Sequence, residues 1–334
     1  MIFILKKRLA FFYVIAAFLV IVIIVLAINK KDEKNQEKVE EEKIQFESGN
    51  TISLYRSQKG QIENVDLNYY LLCVVASEMP FKYEYEALKA QTVVARTYLF
   101  NKMKNNHEEN GDVCDSFAHC QAFNDIENLE EIWKKKGFTQ EEIIEGEEKI
   151  KKAIVESDGE IITYNNKIIN ALFHASSPVR TENASAIWGQ EDVPYLKAVE
   201  NEEDEDYERR ESTNVISYET FKNTLIDKGY VHDLSKEEFL NVHISEYTES
   251  GRVKSVSVGN YNVKAESLRT LFGINSTNFT LSVNNENIEF HVLGFGHGVG
   301  MSQVGANKDA KSGKDYKEII HHYYTDVEIT NVNN

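Results

Sequence analysis

The sequence predicts an α+β fold in which helices and antiparallel strands form one globular two-lobed domain with a central cleft, after an N-terminal transmembrane helix. Apolar residues at helical spacing and segments of strand-like alternation follow one another in mixed order along the 334 residues. No regular strand–helix–strand repeat links them, so the order indicates α+β and not a parallel α/β sheet. A chain of this length buries a sizeable core, in one large or two moderate domains.

Local signals place the individual elements. Thr139 and Glu142 form a capping box, which predicts the start of a helix. Asn165 and Asn166 lie between two alternating segments and predict a hairpin over residues 160–173. By the same criteria, strands are predicted at 51–55, 62–67, 243–249, 252–259, 279–283 and 288–292, and helices at 217–228, 235–240, 266–272 and, as a pair, 308–324.

The N-terminal part of the chain is predicted to lie outside the globular domain. Residues 9–28 contain no charge, glycine or proline and have the length of one transmembrane helix. A basic tripeptide precedes them and favours a cytoplasmic location for residues 1–8. The apolar run is longer than that of a cleaved signal peptide, so we expect an uncleaved signal anchor. Residues 29–47 are mostly charged or amide and predict a stalk, which leaves residues 48–334 as an extracytoplasmic domain.

The charge balance excludes one class of partner. The net charge is -17, from 37 basic and 54 acidic residues. Nucleic-acid phosphates are bound by patches of lysine and arginine, and no such patch stands out in the sequence. We therefore expect no nucleic-acid partner.

The strongest candidate for chemistry lies in the stretch 70–98. An apolar run, 71–76, leads to the carboxylate of Glu78, and Pro80 follows. Because proline disfavours helix at the preceding residue, a helix is predicted to end near Met79, with Glu78 in its last turn. The helix dipole and the apolar neighbours both favour the protonated carboxyl there, as a general acid requires near neutral pH. The alternative is a solvated glutamate at a helix end.

A polar segment after the next helix contains His107, Cys114, His119 and Cys120. Two thiolates and two imidazoles form a four-ligand set of the kind that binds structural zinc, although the spacing C-x5-C is not that of a standard zinc finger. In an oxidising compartment the same two cysteines form a disulfide as the alternative, and free thiols are the third possibility. Cys73 lies in the apolar run and is predicted to be a core residue.

Three further segments are predicted to be irregular. The polar loop at 173–196 carries His174, Trp188 and several hydroxyls, and loops of this kind often hold sugar-binding and catalytic groups. Taken alone, His174 fits a hydrogen-bonded histidine at a strand end. The acidic segment 201–211 predicts a solvated turn. The glycine-rich string 294–306 fits neither a dinucleotide fingerprint nor a phosphate loop, and predicts a close backbone approach that leads into a helix.

Together, three of these stretches resemble the stage II sporulation protein D family, which also includes the amidase enhancers. The first carries V-x-x-E-M-P and E-A-L-K-A-Q-x-x-x-A-R-T-Y, within 70–98. The second, within 173–196, carries F-H-x-x-S, T-E-N, W-G and V-P-Y-L, and the third is G-x-G-H-G-V-G-M-S-Q-x-G-A, at 294–306. The resemblance covers residues 50–330, in the family's order.

The resemblance implies a lytic transglycosylase that cleaves the β-1,4 bond between N-acetylmuramic acid and N-acetylglucosamine of peptidoglycan. The family's catalytic glutamate falls on Glu78, which would first protonate the leaving oxygen and then deprotonate the C6 hydroxyl, closing a 1,6-anhydro ring. Glycoside hydrolases use two carboxylates, whereas the matched stretches offer one well-placed carboxylate. Glu182 is the nearest rival as a second acid. The residues expected to contact the sugar are Arg96, His174, Ser177, Trp188, Tyr195, His297 and Gln303.

Two details of the resemblance concern structure. Cys114, His119 and Cys120 look like a zinc site of some sporulation members, with His107 as the fourth ligand and no role in the chemistry. The sequence departs from the family at Pro178-Val179, where a glycine pair is usual, which affects the loop beside the cleft.

The family also implies a setting. The protein is expected in the mother-cell membrane, facing the forespore during engulfment, and acting on glycan strands stripped of stem peptides. A cell-wall amidase and a membrane scaffold protein are the expected partners. The competing hypothesis is a non-catalytic glycan-binding enhancer of that amidase. A zinc peptidase is disfavoured, because the sequence contains no H-E-x-x-H motif.

Overall fold

The computed structural model describes residues 48–105, 111–189, 192–205 and 207–332. They belong to one compact unit, Glu47–Asn334. The predicted anchor, the predicted stalk and His107 lie outside the described residues. Within the described ranges, no helix combines the length and the apolar character that a membrane crossing needs.

Helices and mostly antiparallel strands alternate in mixed order, which confirms the predicted α+β class. The helices of the described ranges are α1 (Leu67–Glu78), α2 (Tyr85–Lys104), α3 (Ile126–Lys135), α4 (Gln140–Glu156), α5 (Ala184–Trp188), α6 (Tyr218–Asp227), α7 (Lys236–Leu240), α8 (Ala265–Phe272), α9 (Gln303–Lys311) and α10 (Tyr316–Tyr323). The strands are β1 (Thr51–Arg56), β2 (Gln61–Asp66), β3 (Val113–Cys114), β4 (Glu160–Tyr164), β5 (Lys167–Ile168), β6 (Phe173–His174), β7 (Val179–Arg180), β8 (Glu200–Asn201), β9 (Glu211–Ser217), β10 (His243–Tyr247), β11 (Val253–Val258), β12 (Tyr261–Lys264), β13 (Phe279–Val283), β14 (Asn287–Leu293), β15 (Met301–Ser302) and β16 (Glu328–Asn331).

Helix α2 lies at the centre of the first core. Every residue from Ala87 to Leu99 is buried, because α1, α4, α9 and α10 pack around the helix. The structure therefore buries the whole circumference of α2 over these residues. Cys73 of α1 is fully buried, as predicted.

Residues 216–292 form a second hydrophobic core of their own. Strands β13, β14 and β9 make one antiparallel sheet, and β10, β11 and β12 make another. Helices α6 and α8 contribute Phe221, Leu225 and Leu268 to the same core. The strands predicted at 243–249, 252–259, 279–283 and 288–292 are confirmed, within one or two residues at each end, and they pair as two hairpins.

Two irregular segments that are far apart in the sequence run side by side. Strand β6 pairs in parallel with β15, and single bridges join Ser176 to Phe295 and Glu182 to Val299. Gly300 adopts φ +72°, and a Cβ there would lie 2.0 Å from the Leu172 carbonyl oxygen. This position therefore requires glycine. The glycine-rich string makes the predicted close backbone approach, and the segment that it approaches belongs to the same chain.

The hairpin after α4 is shorter than predicted. Asn165 and Asn166 form its turn with φ of 49° and 59°, as the sequence predicts. Strand β5 ends at Ile168, and the chain then leaves the sheet before β6 begins. The prediction of one continuous strand to residue 173 is wrong, because β6 pairs with β15 instead of β4.

Candidate functional site

Glu78 is the last residue of α1. Met79 leaves the helical conformation with φ -123° and ψ 142°, so the predicted helix end is confirmed. The Ala122 backbone N–H donates to Glu78 Oε1 at 2.6 Å, and the Gln303 side chain hydrogen bonds the same carboxyl. Burial raises the pKa of Glu78 to about 7, although both hydrogen bonds act in the opposite direction. The carboxyl is therefore available both as an acid and as a base near neutral pH.

Three segments hold this carboxyl in place. Helix α1 carries it, and the chain at 121–124 lies against the helix end, where the Asn124 N–H also donates to Ser77 Oγ at 3.0 Å. Gln303, the first residue of α9, completes the site. Its Nε2 donates to Gln91 Oε1 of α2 at 3.4 Å, and both amides are buried.

Cys114, His119 and Cys120 converge on one point. The ligand atoms of these three residues lie within 4.8 Å of one another, and His119 Nδ1 is 3.5 Å from Cys114 Sγ and 3.7 Å from Cys120 Sγ. No disulfide joins the two cysteines. Burial and the adjacent Cys114 thiol raise the pKa of Cys120, so a bound cation is the natural way to stabilise two thiolates here. The donor set fits zinc.

His174, His297 and Trp188 form an aromatic row. The ring centroids of His174 and His297 are 5.6 Å apart, and those of His297 and Trp188 are 5.5 Å apart. His174 Nδ1 lies 3.1 Å from the Val299 carbonyl oxygen, so that nitrogen carries the proton and Nε2 is an acceptor. Nε2 is buried and has no hydrogen-bond partner among the described residues. Burial lowers the pKa of His297 to about 4 and that of His174 well below its usual value, so both rings are neutral.

Three of the residues expected to contact the sugar are engaged elsewhere. The Arg96 guanidinium is fully buried and donates to carbonyls at the C-terminal end of α4, over 2.7–3.2 Å. Ser177 is fully buried and donates from Oγ to a carbonyl at 2.8 Å. The Tyr195 hydroxyl accepts the Asn170 N–H at 3.2 Å. These contacts hold the fold together.

Glu182 is fully buried and holds two segments together. Its carboxylate accepts hydrogen bonds from Thr248 Oγ1 at 2.6 Å and Ser250 Oγ at 2.7 Å, and from the adjacent Asn183 N–H. The oxygens of Glu182 are thus occupied by hydrogen bonds from Asn183 and from the connection between β10 and β11.

Glu203 is the residue that the sequence analysis missed. Its carboxylate accepts hydrogen bonds from four donors: Ser176 Oγ at 2.5 Å, Ser177 N at 2.6 Å, Asn201 Nδ2 at 2.8 Å and Ser302 Oγ at 2.6 Å. The prediction of a solvated turn at 201–211 is therefore wrong at its start. No local signal marks Glu203, because Ser176 and Ser302 lie 27 and 99 residues away in the chain.

Val179 lies at the position where the sequence departs from the family pattern. Its φ is 75°, in the left-handed region that a β-branched residue rarely adopts, and its side chain is exposed. A glycine has no steric cost at this angle, which gives a physical reason for the usual glycine pair. Valine at this angle therefore strains the loop.

A groove of 710 Å³ lies between the segment of α5 and the β10–β11–β12 sheet. Asn183, Ile187 and Gly189 are among the residues that line it, whereas the three aromatic rings of the row are not. Trp188 belongs to α5 and is 42% exposed, so its ring is available for stacking.

Comparisons with known proteins point to one family. A family model described as a stage II sporulation protein matches residues 55–164, which include Glu78 and the Cys/His cluster. The chain is 34% identical over 280 residues to the stage II sporulation protein D of Bacillus subtilis (strain 168), covering 84% of this chain and 79% of that protein. It is 33% identical over 287 residues to the stage II sporulation protein D of Bacillus amyloliquefaciens, covering 85% of this chain and 80% of that protein.

A more distant relative is the amidase enhancer of Bacillus subtilis (strain 168), 25% identical over 305 residues. The match covers 77% of this chain and 40% of that protein. The fold and the site thus define an α+β protein with a desolvated carboxyl, Glu78, close to a Cys/His cluster. The chain belongs to the stage II sporulation protein D family.

Proposed function

We propose that the protein is a lytic transglycosylase that cleaves the β-1,4 bond between N-acetylmuramic acid and N-acetylglucosamine in peptidoglycan during forespore engulfment. The observation that carries the proposal is Glu78, a largely desolvated carboxyl at the end of α1 whose pKa is raised to about 7. Membership of a sporulation family supplies the biological setting, and the carboxyl supplies the chemistry.

In the proposed reaction, protonated Glu78 donates its proton to the glycosidic oxygen as the C1–O bond breaks. The resulting carboxylate then removes the proton from the muramoyl C6 hydroxyl, and O6 bonds to C1. The product is a 1,6-anhydro sugar, no water is consumed, and Glu78 ends protonated as it began. A pKa near 7 suits both halves of the cycle, since neither protonation state is strongly disfavoured.

The row formed by His174, His297 and Trp188 is proposed to bind the glycan in a central cleft. Trp188 offers an exposed ring face for a sugar. The unpaired Nε2 of His174 is an acceptor for a sugar hydroxyl. Gln303 contacts Glu78 and is proposed to contact the substrate as well.

Zinc is proposed as a structural cofactor. Cys114, His119 and Cys120 would hold it, with His107 as the expected fourth ligand. The positive charge of the ion would stabilise the two thiolates. The ion would also fix the loop that leads to Ala122, whose backbone N–H donates to Glu78.

The setting is also proposed from the sequence and the family. Residues 9–28 anchor the protein in the mother-cell membrane with the N-terminus in the cytoplasm, and the stalk extends the domain towards the forespore. Its partners are glycan strands without stem peptides, a cell-wall amidase and a membrane scaffold protein.

The test is incubation of the full-length protein with glycan strands stripped of peptide, followed by mass analysis of the products. Wild type is expected to release fragments that end in 1,6-anhydro-muramic acid, and Glu78→Gln is expected to release none. Equal product from both proteins would overturn the role of Glu78. Glu202→Gln is the control, because it makes the same change of charge at an exposed glutamate, and it should release the same products as wild type.

A second function is favoured by the amidase-enhancer relative. In this case the protein binds glycan and stimulates a partner amidase without cleaving the strand. Glu78→Gln would then leave amidase stimulation unchanged, whereas Trp188→Ala would reduce pelleting with glycan. Tyr230→Ala, another exposed aromatic outside the site, is the matched control.

A further inference from the structure

The acidic segment at 201–204 holds the start of helix α9. Ser302 is the N-cap of α9, and its Oγ accepts the Gly305 N–H at 3.2 Å. The same hydroxyl donates its proton to Glu203 Oε1 at 2.6 Å. A serine hydroxyl has a single proton, so the hydrogen bond to Glu203 leaves the oxygen lone pairs free to cap the helix.

The next residue after this cap is Gln303, which reaches the catalytic carboxyl. Its amide hydrogen bonds Glu78, and its Nε2 also donates to Gln91 Oε1. The position of that amide depends on the first turn of α9, since the side chain leaves the helix one residue after the N-cap. A continuous chain of contacts therefore runs from Glu203 through Ser302 and Gln303 to Glu78.

Glu203 also fixes the other side of the site. Its carboxylate accepts the hydroxyl of Ser176 and the backbone N–H of Ser177, just after His174 in β6. Four donors on one carboxylate require a group that only accepts, which an ionised glutamate provides and a glutamine does not. The charged and titratable groups near the Glu203 carboxylate are Arg252, Tyr207 and Tyr323.

We propose that Glu203 is a positioning residue that acts through Ser302 to hold the Gln303 amide against the Glu78 carboxyl. This inference rests on the proposed function, because that function is what makes Glu78 the catalytic acid. Its test reads the state of Glu78 directly, so a failure of the inference is distinguishable from an absence of transglycosylase activity.

The experiment is a carbon-13 NMR titration of the Glu78 carboxyl in full-length protein labelled at glutamate, with the signal assigned by its loss in Glu78→Gln. Gln303 lowers the pKa of Glu78, so Gln303→Met, which removes the amide and keeps the volume, is expected to shift it upwards. Tyr98 is the titratable neighbour on α2 and is unchanged in every variant. Glu203→Gln is expected to shift the pKa of Glu78 in the same direction as Gln303→Met.

The double variant decides between positioning and a general loss of structure. If Glu203 acts through Gln303, adding Glu203→Gln to Gln303→Met causes no further shift in the pKa of Glu78. Two shifts that add, or no shift in Glu203→Gln, would overturn the proposal. Should Glu203→Gln fail to fold, Ser302→Ala breaks the same chain and must give the same upward shift.

Asp204→Asn is the matched control. Asp204 lies next to Glu203 and forms ion pairs with Lys308 and Lys311 of the same helix, but it makes no hydrogen bond to Ser302. Loss of these ion pairs in Asp204→Asn is expected to lower the melting temperature and to leave the pKa of Glu78 unchanged. A shift in Asp204→Asn equal to that in Glu203→Gln would show that Glu203 has only a structural role.

Discussion

At the scale of single residues, one balance determines what Glu78 can do. Two hydrogen bonds favour its charged form, and burial favours its neutral form. Burial is the larger effect, so the pKa rises from 4.5 to about 7. The folded state therefore binds this proton more tightly than the unfolded chain, and its stability falls as the pH rises from about 4.5 through about 7.

This balance predicts a pH-dependent effect of Glu78→Gln. Near pH 4 both proteins are neutral at this position and should have similar free energies of unfolding. At pH 8 the variant should be more stable than wild type by roughly 3 kcal/mol, because it has no buried charge. Urea unfolding of both proteins at the two pH values measures the difference, and a difference independent of pH would contradict the raised pKa.

Val179 is the second case at this scale. Its left-handed φ of 75° strains a β-branched residue, so Val179→Gly should raise the free energy of unfolding by about 1 kcal/mol after the entropy cost of glycine. Val215, an exposed valine in strand β9, is the matched control, and Val215→Gly should be destabilising. Thermal or urea unfolding compares the two, and a loss of stability in both would contradict the strain.

At the scale of elements, the site depends on short segments fixed by neighbours distant in sequence. The loop at 114–122 is held at one end by strand β3 and at the other by the hydrogen bonds of Ala122 and Asn124 to the end of α1. Between these points Tyr98 Oη donates to the His119 carbonyl oxygen and Gln121 Nε2 donates to the Ala95 carbonyl oxygen, both at 3.4 Å, and the Cys/His cluster is a further constraint. A metal at the cluster would therefore stabilise the element that supplies a donor to Glu78.

The metal prediction follows from this arrangement. Wild type is expected to carry about one zinc per chain, and Cys114→Ser is expected to lose the zinc and melt at a lower temperature. Cys73→Ala, a change to a cysteine of the core, should keep the zinc. Elemental analysis of the purified proteins measures this directly, and a folded wild type without metal would contradict the zinc site.

At the scale of the whole molecule, the sequence predicts those features of the fold that depend on residues close together in the chain. The end of α1 at Pro80, the capping box at Thr139 and the turn at Asn165 each depend on neighbours within a few residues, and each is confirmed. The contacts of Arg96 and Glu203 depend on segments that tertiary packing brings together. No periodicity marks such pairings, so these residues could not be assigned from the sequence.

The same distinction applies to the candidate site. The resemblance grouped Glu78 with Gln303, and the structure shows these two side chains in contact, because the resemblance carries tertiary information that composition lacks. Among the expected sugar contacts, the structure buries Ser177 in hydrogen bonds and leaves Trp188 exposed. Exposure cannot be read from a motif, since both residues lie in the same polar loop.

The central claim is that one carboxyl serves as acid and then as base, so that water takes no part in the cleavage. The most direct measurement is digestion of peptide-free glycan strands in water enriched in oxygen-18, with mass analysis of the new sugar ends. The account predicts 1,6-anhydro ends without oxygen-18. Muramic acid ends that have gained one water with oxygen-18 would contradict it, because they require hydrolysis and a second catalytic group.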